Sequence, residues 1–144
     1  MTAALESRPD LLARLNGDVP GTFAGLIGLR FVEADLDHVV AEMDAAANHI
    51  SRKNVVHGGV LMAIADTVGG FSTRINLLPG QGTTTIESKT NFLRAATPGS
   101  RLRARADALH KGRTTMVWQT VIRDDNDRVI SITTQTQMVI KAKV

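Results

Sequence analysis

A chain of 144 residues, 43% apolar and 22% charged, has room for one domain with a real core, and no repeated or biased segment argues for a second. It holds no cysteine, which excludes a disulfide framework, a thiolate metal site and a cysteine nucleophile. The net charge of +3 is unevenly divided, with 5 Lys/Arg against 9 Asp/Glu in residues 1–72 and 12 against 5 in residues 73–144. A basic half of this kind favours an anionic partner, and with four Phe, one Trp and no stacking motif that partner is better read as a phosphorylated small molecule than as nucleic acid.

Residues 1–24 read as short helices, with Asp10 near the start of the first and Gly17 near its end. The first residues mix acids and bases without an apolar h-region, so a cytoplasmic protein is expected. Residues 28–45 read as two strands around the turn sequence "ADLD", with Val39, Ala41 and Met43 in one phase. "NHISRKN" is a polar loop. It leads into the longest apolar run, residues 55–71, which is too short for a membrane span and is interrupted by His57 and Asp66, so no membrane association is expected.

The run lacks strict alternation and predicts a buried helix over residues 58–75, ended by "LLPGQG". Strands are then expected over residues 83–93, 100–110, 113–124 and 128–142, with "DDND" as a tight turn before the last. In the second of these, Leu102, Ala104 and Ala106 alternate with Arg101, Arg103 and Arg105, giving a buried face and a wet one. The fold class is therefore α+β: one domain over residues 1–144, with an antiparallel sheet wrapped around one long central helix and short N-terminal helices.

On that helix Asp66 has Met62, Ala63, Gly69 and Gly70 as its i±3 and i±4 neighbours, an apolar setting for an acid. At the start of the same helix, "HGG" places Gly58 and Gly59 where first-turn amides have no intrahelical acceptor and can hold a carbonyl oxygen gaining negative charge. A Gly-rich junction needed only for packing reads equally well from the tripeptide alone. Gly58 and Asp66 are eight residues apart, roughly 12 Å along a helix axis. They serve one reacting group only if one of them comes from a second, antiparallel copy of the helix, which predicts a two-fold dimer with composite sites.

"HGGVLMAIADTVGG", with two strands before it and four after, resembles the hotdog-fold acyl-CoA thioesterases, in particular the phenylacetate-degradation (PaaI-like) type related to 4-hydroxybenzoyl-CoA thioesterases. The likeness covers about residues 25–140 and extends to "GLIGLRFVEAD", "TNFLRAATPGSRL" and "HKGRTT". It implies a hotdog fold and hydrolysis of an acyl-CoA, aryl or medium-chain, to the free acid and coenzyme A. Asp66 corresponds to the catalytic acid, as nucleophile or as general base on a water, Gly58 to the amide that polarises the carbonyl, and Thr85 to a hydroxyl residue that helps position the water. In the family the glycine and the acid come from different subunits of a homodimer, with a dimer of dimers as its usual extension.

Where relatives carry Asn or Gln six residues before the His, this chain has Ser51, with Asn48 or Asn54 as substitutes through a shifted loop. Gly59 and Asn54 are further substrate contacts, and Arg94, Lys111, Gly112 and Arg113 are candidate contacts to coenzyme A phosphates. His57 orients the site or makes a structural hydrogen bond. His38, His49 and His110 have no ligand spacing, and neither metal nor cofactor is expected, coenzyme A being part of the substrate. A non-catalytic acyl-CoA or small-ligand binding protein of the same fold is the alternative. A hotdog hydratase ranks lower, because the helix lacks the Asp/His pair that water addition needs.

Overall fold

Pro9 occupies the first turn of a helix, where its missing N–H costs nothing, and α1 (Pro9–Gly17) follows from it with Leu11 and Leu15 turned inward. The computed structural model describes residues 8–141, so the first seven residues of the expected N-terminal segment lie outside the described residues. Asn16 ties α1 to the sheet, donating to the Phe31 carbonyl (2.9 Å) and accepting from the Phe31 amide (3.0 Å). A short α2 (Phe23–Leu26) is capped by the Thr22 hydroxyl. Strands β1 (Arg30–Ala34) and β2 (His38–Asp44) are joined by the expected turn.

The central helix α3 runs over Gly58–Arg74, and β3 (Gly82–Phe92), β4 (Arg101–Lys111), β5 (Thr115–Arg123) and β6 (Val129–Ile140) complete the chain. All six strands form one antiparallel sheet in the order β1-β2-β4-β5-β6-β3. The sheet curls around α3. Val39, Ala41 and Met43 of β2 and Leu102, Ala104 and Ala106 of β4 are buried with Leu61, Ile64 and Val68 of α3, and the alanines let helix and sheet approach closely. Trp118 is fully buried and donates its indole N–H to Thr73 Oγ1 (2.8 Å), so its one polar group is satisfied.

The arginine comb of β4 has partners of its own. Arg101 pairs with Asp44 (2.9 Å), Arg103 with Glu42 (2.9 Å) and Glu33, and Arg105 with Asp107 (2.8 Å). Because β2 lies beside β4, most of this comb meets acids from the negative half of the chain, which gives the uneven charge division a structural use. The flanking side chains of this ladder also cover Val40, which is buried in the outward phase of β2 between Glu33 and Arg105.

Two features depart from a simple apolar wrap. The inward phase of β6 is polar: Ser131, Thr133, Gln135 and Gln137 are all buried. Gly69 allows the helix to settle on this floor, since a Cβ there would lie 2.5 Å from the Gln135 amide carbon. Strand β3, at the sheet edge, carries a bulge: Thr85 faces Gln137 and Glu87 faces Thr136, leaving Ile86 as the extra residue. Ile86, Phe92 and Leu93 are exposed along this edge, as is Met62 on the adjoining face of α3.

Candidate active site

The start of α3 is organised by the residue before it. His57 is the N-cap, and its Nδ1 accepts from the Gly59 amide (2.8 Å), which places the proton of a neutral ring on Nε2. Its ring therefore has a structural duty, and Gly59 is needed there because a Cβ would lie 2.9 Å from that nitrogen. With Gly59 engaged, the Gly58 amide is the first-turn donor without an acceptor among the described residues. Gly58 packs against Phe92, whose ring a Cβ would approach to 3.2 Å.

The loop before His57 is pinned by an isolated bridge between Ile50 and Val56. Asn54 turns the chain with a φ of 58°, donating its amide to the Ser51 carbonyl (3.0 Å), while Ser51 Oγ accepts from the Lys53 amide (3.3 Å). Both polar candidates thus serve the loop, and neither hydrogen-bonds to Gly58 or Asp66.

Asp66 lies on the face of α3 that its own sheet leaves uncovered. Thr85 Oγ1 donates to Asp66 Oδ1 (2.6 Å), and Oδ2 has no protein partner among the described residues. Behind Thr85, Gln137 donates Nε2–H to the threonine oxygen (2.6 Å) and accepts at Oε1 from Thr83 (3.0 Å). Gln137 and Thr83 did not stand out in the sequence. The signal is there in retrospect, as Gln135 and Gln137 fall in the inward phase of a strand where apolar residues belong.

Asp66 lines a cleft of about 420 Å³ that runs along α3 past Gly70 and Phe71 to an ion pair of Arg74 with Asp18 (3.1 Å). Gly58 belongs to a different cleft, of about 380 Å³, with Phe92, Leu93 and Arg94. The structure therefore does not bring acid and amide together within one protomer.

The proposed phosphate contacts are also divided. Arg94 sits beside Gly58 and donates to the Val129 carbonyl (3.0 Å). Lys111 lies at the other end of α3: it pairs with Asp37 and donates to the Leu36 carbonyl, which also accepts from Asn76 just past the helix. Gly112 serves a tight turn, where its amide reaches the Thr115 carbonyl (2.8 Å) and a Cβ would strike His110. Arg113, Arg52 and Lys53 enter no ion pair among the described residues. No three His, Asp or Glu side chains gather as metal ligands among the described residues, and no helix among them is long and apolar enough to cross a membrane.

Comparison with known proteins supplies the family. The sequence profile of the thioesterase superfamily matches residues 53–131, the segment from the α3 loop to β6. A Mycobacterium tuberculosis protein named "Putative esterase Rv1847" is 32% identical over 130 residues, covering 88% of this chain and 91% of its own. The crystal structure of thioesterase HI1161 from Haemophilus influenzae superposes with a TM-score of 0.85 at 27% identity over 90% of each chain. A Streptococcus pneumoniae protein described as a hypothetical thioesterase, crystallised with coenzyme A, superposes with a TM-score of 0.74 at 25% identity, covering 81% of this chain and 89% of its own. With more than half of its length matched by the family profile and a hotdog architecture throughout, the chain belongs to the thioesterase superfamily and is a thioester hydrolase.

Proposed function

We infer that the protein hydrolyses an acyl-CoA, with an aryl or medium-chain acyl group, at sites formed by Asp66 of one copy and the Gly58 amide of a second. The observation that carries this reading is the separation of the two groups into different clefts of one protomer, with the acid on an uncovered helix face. The exposed apolar edge of β3 supports the second copy, since a long unpaired strand edge invites pairing with another chain. The relative crystallised with coenzyme A supports the substrate class.

The chemistry follows from the hydrogen bonds. Thr85 occupies Oδ1 of Asp66, so Oδ2 is left to take a proton from a water that attacks the thioester carbonyl. The Gly58 amide at the helix N-terminus stabilises the oxyanion as it forms, a contribution of about 3 kcal/mol for one such donor. The tetrahedral intermediate then collapses and releases the coenzyme A thiolate. The acyl group lies over Gly70, where a Cβ would meet nothing, toward the Arg74–Asp18 pair. Arg94, which lines the Gly58 cleft, meets a coenzyme A phosphate there.

Asp66→Asn is expected to lower kcat for phenylacetyl-CoA by about 10³-fold, read as thiol release, while coenzyme A binding by calorimetry stays within about twofold. Undiminished turnover would overturn the reading. Binding without thiol release by the unaltered protein would make it a binding protein instead. In single turnover with heavy-oxygen water the label should enter the released acid alone, whereas label in Asp66 would make it the nucleophile.

A further inference from the structure

Two side chains of the buried floor beneath α3 lead to the reacting residue: Gln135 donates to the Asp66 backbone carbonyl (3.4 Å), and Gln137 leads to its carboxylate. Gln137 is 1% exposed and lies in β6, opposite Thr85 in the ladder. The Thr83 hydroxyl donates between the Gln137 Oε1 and the Met138 carbonyl (3.0 Å each), the Gln137 Nε2 donates to Thr85 Oγ1 (2.6 Å), and Thr85 donates to Asp66 Oδ1 (2.6 Å). The sense of this chain matters because a threonine has one proton to give. With an amide N–H pointing at it, the Thr85 oxygen is an acceptor on that side, and its own proton is directed at Asp66. Were the Gln137 oxygen turned toward Thr85, that proton would be drawn away from the acid.

The bulge at Ile86 belongs to the same arrangement. Thr83 and Thr85 share the inner face as alternate residues of β3, and the bulge that follows them shifts the register so that pairing with β6 resumes at Glu87. The amide itself is anchored in the sheet and covered, so it holds the threonine without moving with the substrate. Among the described residues no other side chain hydrogen-bonds to the Thr85 hydroxyl.

The geometry points to Gln137 as a positioning residue, which fixes the direction of the Thr85 hydroxyl and through it the rotamer of Asp66, with Thr83 holding the far end of the amide. It does not touch substrate, so its effect belongs in kcat and not in KM. The inference rests on Asp66 being the acid that acts on the thioester.

Gln137→Met keeps the length and bulk of the side chain and removes both polar groups. Expected in the full-length protein is a fall in kcat of about tenfold with KM within twofold. Thr85→Val should lose at least as much, and the double variant Thr85→Val/Gln137→Met should be no slower than Thr85→Val alone, because the amide acts only through that hydroxyl. A kcat within twofold of the unaltered enzyme, or losses that multiply in the double variant, would overturn the relay. Should Gln137→Met fail to fold, Thr83→Val decides: a fall of about threefold in kcat at unchanged KM upholds it and an unchanged kcat overturns it. Asp66→Asn in the same assay separates the two readings, since an active Asp66→Asn sinks the function itself, and an inactive one beside a normal Gln137→Met sinks the relay alone.

Discussion

Asp124 is the side-chain hub of the turn between β5 and β6. Its Oδ1 accepts the Asn126 and Arg128 amides (3.0 Å each), its Oδ2 accepts the Arg128 guanidinium (2.7 and 2.9 Å), and its side chain is 3% exposed. The Arg128 guanidinium, followed by those two amides, holds the carboxyl below the ordinary aspartate range. A depressed carboxyl stabilises the fold above its unfolded pKa and loses that contribution as pH falls through the folded value. Urea midpoints should therefore drop from about pH 5 downward, and Asp124→Asn should lie lower at pH 7 yet fall less steeply in acid. Parallel curves for the two proteins would refute this. That "DDND" turns is legible in the sequence, since Asp and Asn are turn residues. Which aspartate becomes the buried hub is not, because all three share the same local preference and strand register makes the choice.

At the scale of elements, α3 and the six strands can be read from periodicity, because burial against one face imposes it. The helix is expected over residues 58–75 and is observed over Gly58–Arg74. The bulge in β3 and the polar inner phase of β6 escape such a reading, since both depend on which strands become neighbours. The sequence names Asp66 and Thr85 as candidates, and the structure joins them by one hydrogen bond; Gln137 enters only when β6 is known to lie beside β3. Helix α3 also offers a direct test of where the acyl group lies. A Cβ at Gly70 meets no protein atom, so Gly70→Val should fold normally while filling the cleft. We expect kcat/KM for phenylacetyl-CoA to fall by about tenfold with acetyl-CoA changed by less than about twofold. An equal loss for both substrates would move the acyl group elsewhere.

For the whole molecule, the separation of acid and amide makes subunit mixing informative. Gly58→Pro removes the amide donor at a helix position that tolerates proline, and the exposed Phe92 ring has room to yield. Gly58→Pro and Asp66→Asn should each be nearly inactive alone. After subunit exchange at equal amounts, roughly a quarter of full activity should return, since half of the random dimers would hold one intact site of two. No recovery after proven exchange would refute a composite site. The strand order has a separate consequence for how the protein is made. Among the described residues β3 pairs with no strand but β6, and Thr85 stands 52 residues ahead of Gln137 in the chain. As the polypeptide leaves the ribosome, β1, β2, β4 and β5 can assemble around α3 while β3 waits for its neighbour. The threonine that holds Asp66 is thus secured only once β6 has been made, so a product truncated before β6 would leave β3 without its neighbour and never acquire a working site.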